Sequence, residues 1–180
     1  MAADAETRWT TTIIISASLQ SHETIRMLRA QQHRIRLSDS VECGAFIFPL
    51  SGTAFKLVEP ENVQDESVLV EQIQKFVQVH RNSFVLLYAP FNGKRQLDML
   101  SLIQQKFFGT NLRILPVRNN GDVLKGMLTI AKVLVLNPVS FADFCATSKP
   151  HVDRIRHRMA VARTRIVERS PVWDMLRKLT

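Results

Sequence analysis

The chain has 180 residues, 46% of them hydrophobic, with 24 Lys or Arg against 16 Asp or Glu, a net charge of +8 and a pI near 10.1. That length and apolar content exclude a disordered chain and allow one domain with its own core, with or without a small appendage. The positive balance favours a polyanionic partner, although excess charge also serves plain solubility.

The N-terminal stretch MAADAETRW lacks an apolar signal core, and apolar runs such as Val133 to Leu136 are far below membrane-spanning length. The sequence thus predicts a soluble, unsecreted chain. Cys43 and Cys145 have no metal-ligand spacing; they predict a reducing compartment and buried structural thiols.

Residues 11–18, TTIIISAS, are β-branched through their first half and uncharged, which predicts a first core strand covered on both faces. SHETIRMLRAQQ follows as a short helix, with Ser21 as its N-cap, Glu23 in its first turn, and Ile25 and Leu28 turned inward. HRIRL reads as the second strand. In GAFIFPLSGTAFKLVEP, two β-rich runs flank Ser51-Gly52, the composition of a tight hairpin, and Pro49 places its strand at an edge or bulge.

Between Glu66 and Arg81, the residues Leu69, Ile73, Phe76, Val77 and His80 form one stripe along a helix. SFVLLYAP is a buried strand. From Gln96 to Phe108, Leu100, Ile103 and Phe107 share a helical face that ends at Gly109 as the C′ residue. NLRILPV is a strand, and Asp122 to Leu136 is a helix stopped by Asn137-Pro138. Strands alternating with helices of this length need crossover connections. The fold class is therefore α/β: a three-layer mixed sheet, largely parallel with one hairpin, flanked by helices.

A domain of this class with a basic balance could be a nuclease, and Mg²⁺-assisted cleavage needs carboxylates converging on the ion with a lysine behind them. No Asp or Glu here is followed two positions later by Lys. Asp39, Glu42, Glu59 and Glu61 are the acids clustered near strand ends, and they read as solvated turn residues. The six glycines are too scattered for a P-loop, a dinucleotide fingerprint or a nucleophile elbow, and the five histidines form no H-E-x-x-H. His151 and His157 read as added charge on a solvated face rather than as ligands. The chain is expected to be a non-enzyme with no metal and no cofactor.

The charge excess belongs to one segment. From Lys149 onward, nine Lys or Arg face three acids, a net of +6 that leaves +2 for the remaining residues. If residues 151–169 are helical, Ile155, Met159, Ala162 and Ile166 make one apolar stripe, and Arg154, Arg158, Arg165 and Arg169 make a neighbouring cationic one. Such a helix can dock by one face and present guanidinium groups to phosphates by the other. Arginines that are merely solvated or paired within the chain remain the competing reading. Ser170-Pro171 opens a last helix with Val172, Met175, Leu176 and Leu179 on its apolar face and Trp173 beside it. Ile155, Met159, Ile166, Val172, Trp173 and Leu176 are the candidate partner contacts, with packing on the chain's own domain as the alternative for Trp173.

The stretches TTIIISASLQSHE, HRIRLSDSVECGAFIFPLSGTAFKL, QQKFFGTNLRILPVRN, TIAK, TSKPHVDRIRHRM and SPVWDMLRKL together resemble the vertebrate homologues of the meiotic sporulation protein sixteen. The resemblance runs from about Thr11 to Leu179. That family is similar to the non-catalytic subunit of the XPF excision-repair nuclease and pairs with the XPF-like protein called shortage in chiasmata. It implies a nuclease-like central domain without an active site, over residues 11–136. It further implies one half of a heterodimer that binds branched DNA recombination intermediates and promotes synapsis and crossover formation on meiotic chromosomes in the nucleus. Residues 1–10 are then a disordered N-terminus, 137–150 an inserted linker and 151–180 the basic helical segment.

Two departures stand out. No glycine follows Gly126, so a helix-hairpin-helix of the XPF partner's kind is in doubt and the arginine stripe would have to substitute for it. The stretch VLVLNPVSFADFCA, residues 133–146, also separates TIAK from TSKP, which the family pattern joins almost directly; Phe141 and Phe144 within it need a place to pack. The competing functions are a pure protein scaffold whose partner holds the DNA and a degenerate hydrolase built on Asp39 or Glu42.

Overall fold

The structure, a computed structural model, describes residues 9–90 and 93–136. The chain divides into two units, Met1–Pro138 and Val139–Thr180, and all of the described residues belong to the first.

Six strands form one sheet: β1 (Thr12–Ser16), β2 (Arg34–Ser38), β3 (Ala45–Phe48), β4 (Thr53–Val58), β5 (Asn82–Tyr88) and β6 (Arg113–Val117), in the order β2-β1-β3-β4-β5-β6. β1 pairs with β2 in parallel, as β4 does with β5 and β5 with β6, while β3 runs antiparallel to both β1 and β4. Five strands therefore share one direction. Three helices make the return crossings, α1 (Glu23–Ala30), α2 (Glu66–Val79) and α3 (Lys94–Lys106), and α4 (Asn120–Leu136) follows β6.

Two apolar layers sandwich the sheet, as side chains alternating across a strand require. On one side Ile13, Ile15, Phe46, Phe48, Phe55, Phe84 and Leu86 meet Ile25 and Leu28 of α1 and Val123, Leu124 and Met127 of α4. On the other, Val58, Val85 and Leu87 meet Leu69 and Ile73 of α2 and Met99 and Ile103 of α3. Phe55 sits at the centre of the first layer, edge-to-face on Phe48 at 5.4 Å and stacked on Phe84 at 5.2 Å between ring centroids. Trp9 also packs against this layer, edge-to-face on His33 at 5.8 Å between ring centroids, and His33 Nδ1 accepts from Thr11 N–H.

Most predicted elements lie where the periodicity placed them, and four details differ. The N-cap of α1 is His22, whose Nδ1 accepts from Thr24 N–H at 3.3 Å, and Ser21 is exposed outside it. β3 is an interior strand, and Pro49 lies beyond its last paired residue in the hairpin loop, where its missing N–H costs no ladder bond. The C-cap of α3 is Phe107, so Gly109, at φ +82°, follows one position later than a C′ residue would. On β1, Thr12 and Ile14 are only half-buried: β1 is covered fully on the α1/α4 side alone.

Phe55 is wholly buried, whereas Phe108 is 82% exposed just past α3. Phe55→Ala is expected to lower unfolding stability by about 3–5 kcal/mol through the cavity it leaves. Phe108→Ala should change it by less than about 0.5 kcal/mol. Urea denaturation of both variants beside the parent checks the pair, and a large loss from Phe108→Ala would contradict the packing described.

Candidate functional site

In parallel α/β sheets, binding crevices open at the carboxyl ends of the strands, where the chain reverses direction between neighbours. Here β1 and β4 end on either side of the antiparallel β3. An open cleft of about 390 Å³ lies at that point, with Ser18, His22, Cys43, Lys56, Glu59 and Gln72 among its lining.

The loop before β3 forms the floor of the cleft. Ser16 Oγ donates to Val41 O at 3.3 Å, and Ser18 Oγ accepts from Gly44 N–H at 3.0 Å. Gly44 holds φ +74°, and its carbonyl accepts from Leu57 N–H at 2.8 Å, so the loop bends back onto β4. A Cβ at Gly44 would stand 3.1 Å from Leu57 O, and the left-handed backbone would strain any other residue as well. This fixed turn aims the carbonyl of Cys43 inward.

Lys56 occupies the aimed position. Its side chain leaves β4 on the α2 side, only 3% exposed, and Nζ donates to Cys43 O at 2.7 Å. Burial lowers its pKa below the ordinary 10.5, against the opposing pull of Cys43 and the Glu42 carboxylate nearby. The cleft is thus built around a buried ammonium. Cys43 itself is exposed, contrary to the expected buried thiol, because the Gly44 turn carries it over the rim. Cys145 lies outside the described residues.

The strand-end carboxylates do not converge. Glu42 Oε2 lies 3.5 Å from His80 Nε2, Glu59 Oε1 lies 3.8 Å from His22 Nε2, and Glu61 Oε1 accepts from Gln96 Nε2 at 3.2 Å. Asp39 is exposed in the turn after β2. Three of these acids are therefore held by separate partners rather than being merely solvated as expected. Among the described residues no group of three or more His, Cys, Asp or Glu could hold a metal ion. A divalent cation entering the cleft would find no set of converging carboxylates among the described residues, and those are the ligands that metal-assisted hydrolysis needs.

The residues assigned to DNA, Arg154, Arg158, Arg165 and Arg169, and those assigned to a partner, Ile155, Met159, Ile166, Val172, Trp173 and Leu176, lie outside the described residues. So do the proposed linker and the basic segment. Sequence reasoning passed over Lys56, because a lysine in a strand flanked by turn signals reads as solvent-facing. Its burial follows from β4 lying inside the sheet with a helical layer on each face. Among the described residues no helix is long and apolar enough to cross a membrane.

Comparison with known proteins supplies the rest. A family profile described as "Protein SPO16 homolog" matches residues 7–179. A human protein of the same description is 43% identical over 174 residues, covering 96% of this chain and 89% of that protein. Among solved structures, XPF from Aeropyrum pernix in complex with DNA superposes with a TM-score of 0.57 at 8% identity, over 68% of this chain and 64% of that one. XPF from Aeropyrum pernix without DNA superposes at 0.55 with 9% identity, over 79% and 73%. At such identities the likeness is one of fold, an XPF nuclease-like domain.

The lowered pKa of Lys56 has a measurable consequence. Between its depressed folded value and 10.5, the unfolded chain holds a proton that the folded chain has released, so this group's contribution to stability rises with pH across that window. Lys56→Met should remove that rise. Urea midpoints at pH 7 and pH 10 for parent and variant test it, and an equal rise in both would show that Lys56 is not its source.

Proposed function

The chain belongs to the SPO16-homolog family, a meiosis-related family, and from that premise we propose that it is the non-enzymatic subunit of an XPF-like heterodimer that binds branched recombination intermediates. Its partner on this reading is the XPF-like protein shortage in chiasmata, and the complex promotes synapsis and crossover formation on meiotic chromosomes in the nucleus. The observation that carries the non-enzymatic part is the separation of the strand-end carboxylates. In an XPF-like fold, the crevice at the strand ends is organised around the Lys56 ammonium, and Glu42, Glu59 and Glu61 each face a different partner. That arrangement supports the reading, because the strand-end carboxylates would have to leave their present partners to meet on one ion.

DNA binding rests on the +6 excess after Lys149 and on the arginine stripe Arg154, Arg158, Arg165 and Arg169. The scaffold reading, in which the partner alone holds the DNA, draws support from Val133 and Leu136. These are 47% and 65% exposed at the end of α4, where apolar side chains in water suit a protein contact.

Two measurements on the heterodimer test the proposal. Labelled forks incubated with Mg²⁺ or Mn²⁺ should remain uncut, and specific cleavage lost in Glu42→Gln would overturn the non-enzymatic reading. Fork affinity should fall steeply with salt. Reversing Arg154, Arg158 and Arg165 to Glu should weaken it at least tenfold and reduce the log–log salt slope by about 3, roughly one per phosphate contact removed. Unchanged affinity and slope would exclude the arginine stripe.

A further inference from the structure

Charge is distributed unevenly over the described residues. Every carboxylate lies toward the carboxyl ends of the parallel strands. Asp39, Glu42, Glu59 and Glu61 are in the loops there, and the others are the N-cap of α2 or in the first two turns of a helix. The opposite pole, where the parallel strands begin and the helices end, carries Arg29, Arg34, Arg81, Lys106, Arg113 and Lys132, with no Asp or Glu among the described residues.

Helix macrodipoles explain part of this pattern, since acids suit the first turn of a helix and bases the last. They account for Arg29 and Lys106. They do not account for Arg34 and Arg113, which open β2 and β6, or for Arg81, which precedes β5, because strand ends carry little dipole. The strand order sets Arg34 at one edge of the sheet and Arg113 at the other, with Arg81 at the head of the strand beside β6. From Arg34 on β2 to Arg81 at β5, four interstrand steps of about 4.8 Å make a row roughly 19 Å long. At about 1.7 Å of duplex axis per phosphate charge, the row can face several phosphates at once.

The same pole exposes apolar groups that the core does not use. Phe107 is buried as the anchor of the loop after α3, and Thr110 N–H and Oγ both bond to its carbonyl, at 3.1 and 2.8 Å. The tight turn through Gly109 leaves the next ring, Phe108, 82% exposed beside Lys106. Leu50, 68% exposed, tips the β3–β4 hairpin at the same end. An exposed aromatic ring at a cationic pole is the combination that binds unpaired nucleic acid, with the cations tracking the backbone and the ring stacking on a base.

We infer that this cationic pole is a second DNA surface, built from residues other than the C-terminal arginine stripe, on which Arg34, Arg81 and Lys106 hold the phosphates of a branched DNA and Phe108 stacks on an unpaired base at the junction. The inference rests on the DNA-binding reading above and adds to it the place and the structural class of DNA. It assigns the cleft at the other pole no part in holding the strand. Arg113 is left out of the contact set because its guanidinium already lies 5.5 Å over the Phe84 ring.

The test is fluorescence anisotropy with the full chain in its heterodimer, against forked, single-stranded and fully paired DNA over a range of salt. Arg34→Glu/Arg81→Glu/Lys106→Glu should weaken fork binding at least tenfold and reduce the salt slope by about 3. Phe108→Ala should weaken forked and single-stranded binding about tenfold and leave paired DNA unchanged. The control Lys94→Glu/Lys125→Glu, on the other pole, should bind as the parent does. All of these positions are exposed, and unchanged melting temperatures exclude unfolding. If the pole variant binds forks like the parent while the Arg154, Arg158 and Arg165 reversal abolishes binding, this inference falls and the DNA-binding reading stands. If the parent heterodimer binds no DNA, both fall. If the pole variant keeps its DNA but loses a protein partner, the pole is an acidic-protein contact and the inference is overturned.

Discussion

The strand on which the architecture turns is β3. By running antiparallel between β1 and β4, it lets the chain cross the middle of the sheet and still re-enter β4 in the direction of β1. Five strands then share one sense, so every helix starts at one pole and ends at the other. The same strand makes β4 interior and covered on both faces, which forces Lys56 to lie inside. A lysine so placed is held only because the Gly44 turn supplies a carbonyl to its ammonium.

This geometry gives the molecule two chemically different ends. At the carboxyl pole, acids satisfy helix starts and pair with His22, His80 and Gln96 around a buried cation, so their charge is spent inside the protein. At the amino pole, cations stand without acids among the described residues, and Phe108 is exposed at the same end. An XPF-like fold can in this way carry a cationic pole while the acids at its strand-end crevice are held apart. The first property comes from strand direction and helix polarity. The second comes from the separate partners that Glu42, Glu59 and Glu61 meet.

The secondary structure was legible because the signals are local and redundant. Leu69, Ile73 and Phe76 repeat at helical spacing, and Ser51-Gly52 separates two β-rich runs, so either feature alone implies its element. The errors fell where two residues compete for one role, as Ser21 and His22 do for the cap of α1, or where an edge and an interior strand have the same composition, as with Pro49. The placement of Lys56 was not legible, since polarity argues for solvent and only the neighbours of β4 decide otherwise. Cys43 shows the converse: composition favoured burial, and a turn set by the next residue carried the thiol outward.

Taken alone, the sequence determined the elements, the α/β class, the largely parallel sheet with its hairpin and the resemblance to the SPO16-homolog family, because periodicity and extended identity are properties of neighbouring residues. Tertiary structure decided the strand order, which side chains meet at the strand ends, that the crevice holds an ammonium, and that the charges divide between two poles. Those facts depend on residues far apart in the chain: Arg34, Arg81 and Arg113 become one row, and Lys56 meets Cys43, only when the crossings of the sheet bring them side by side.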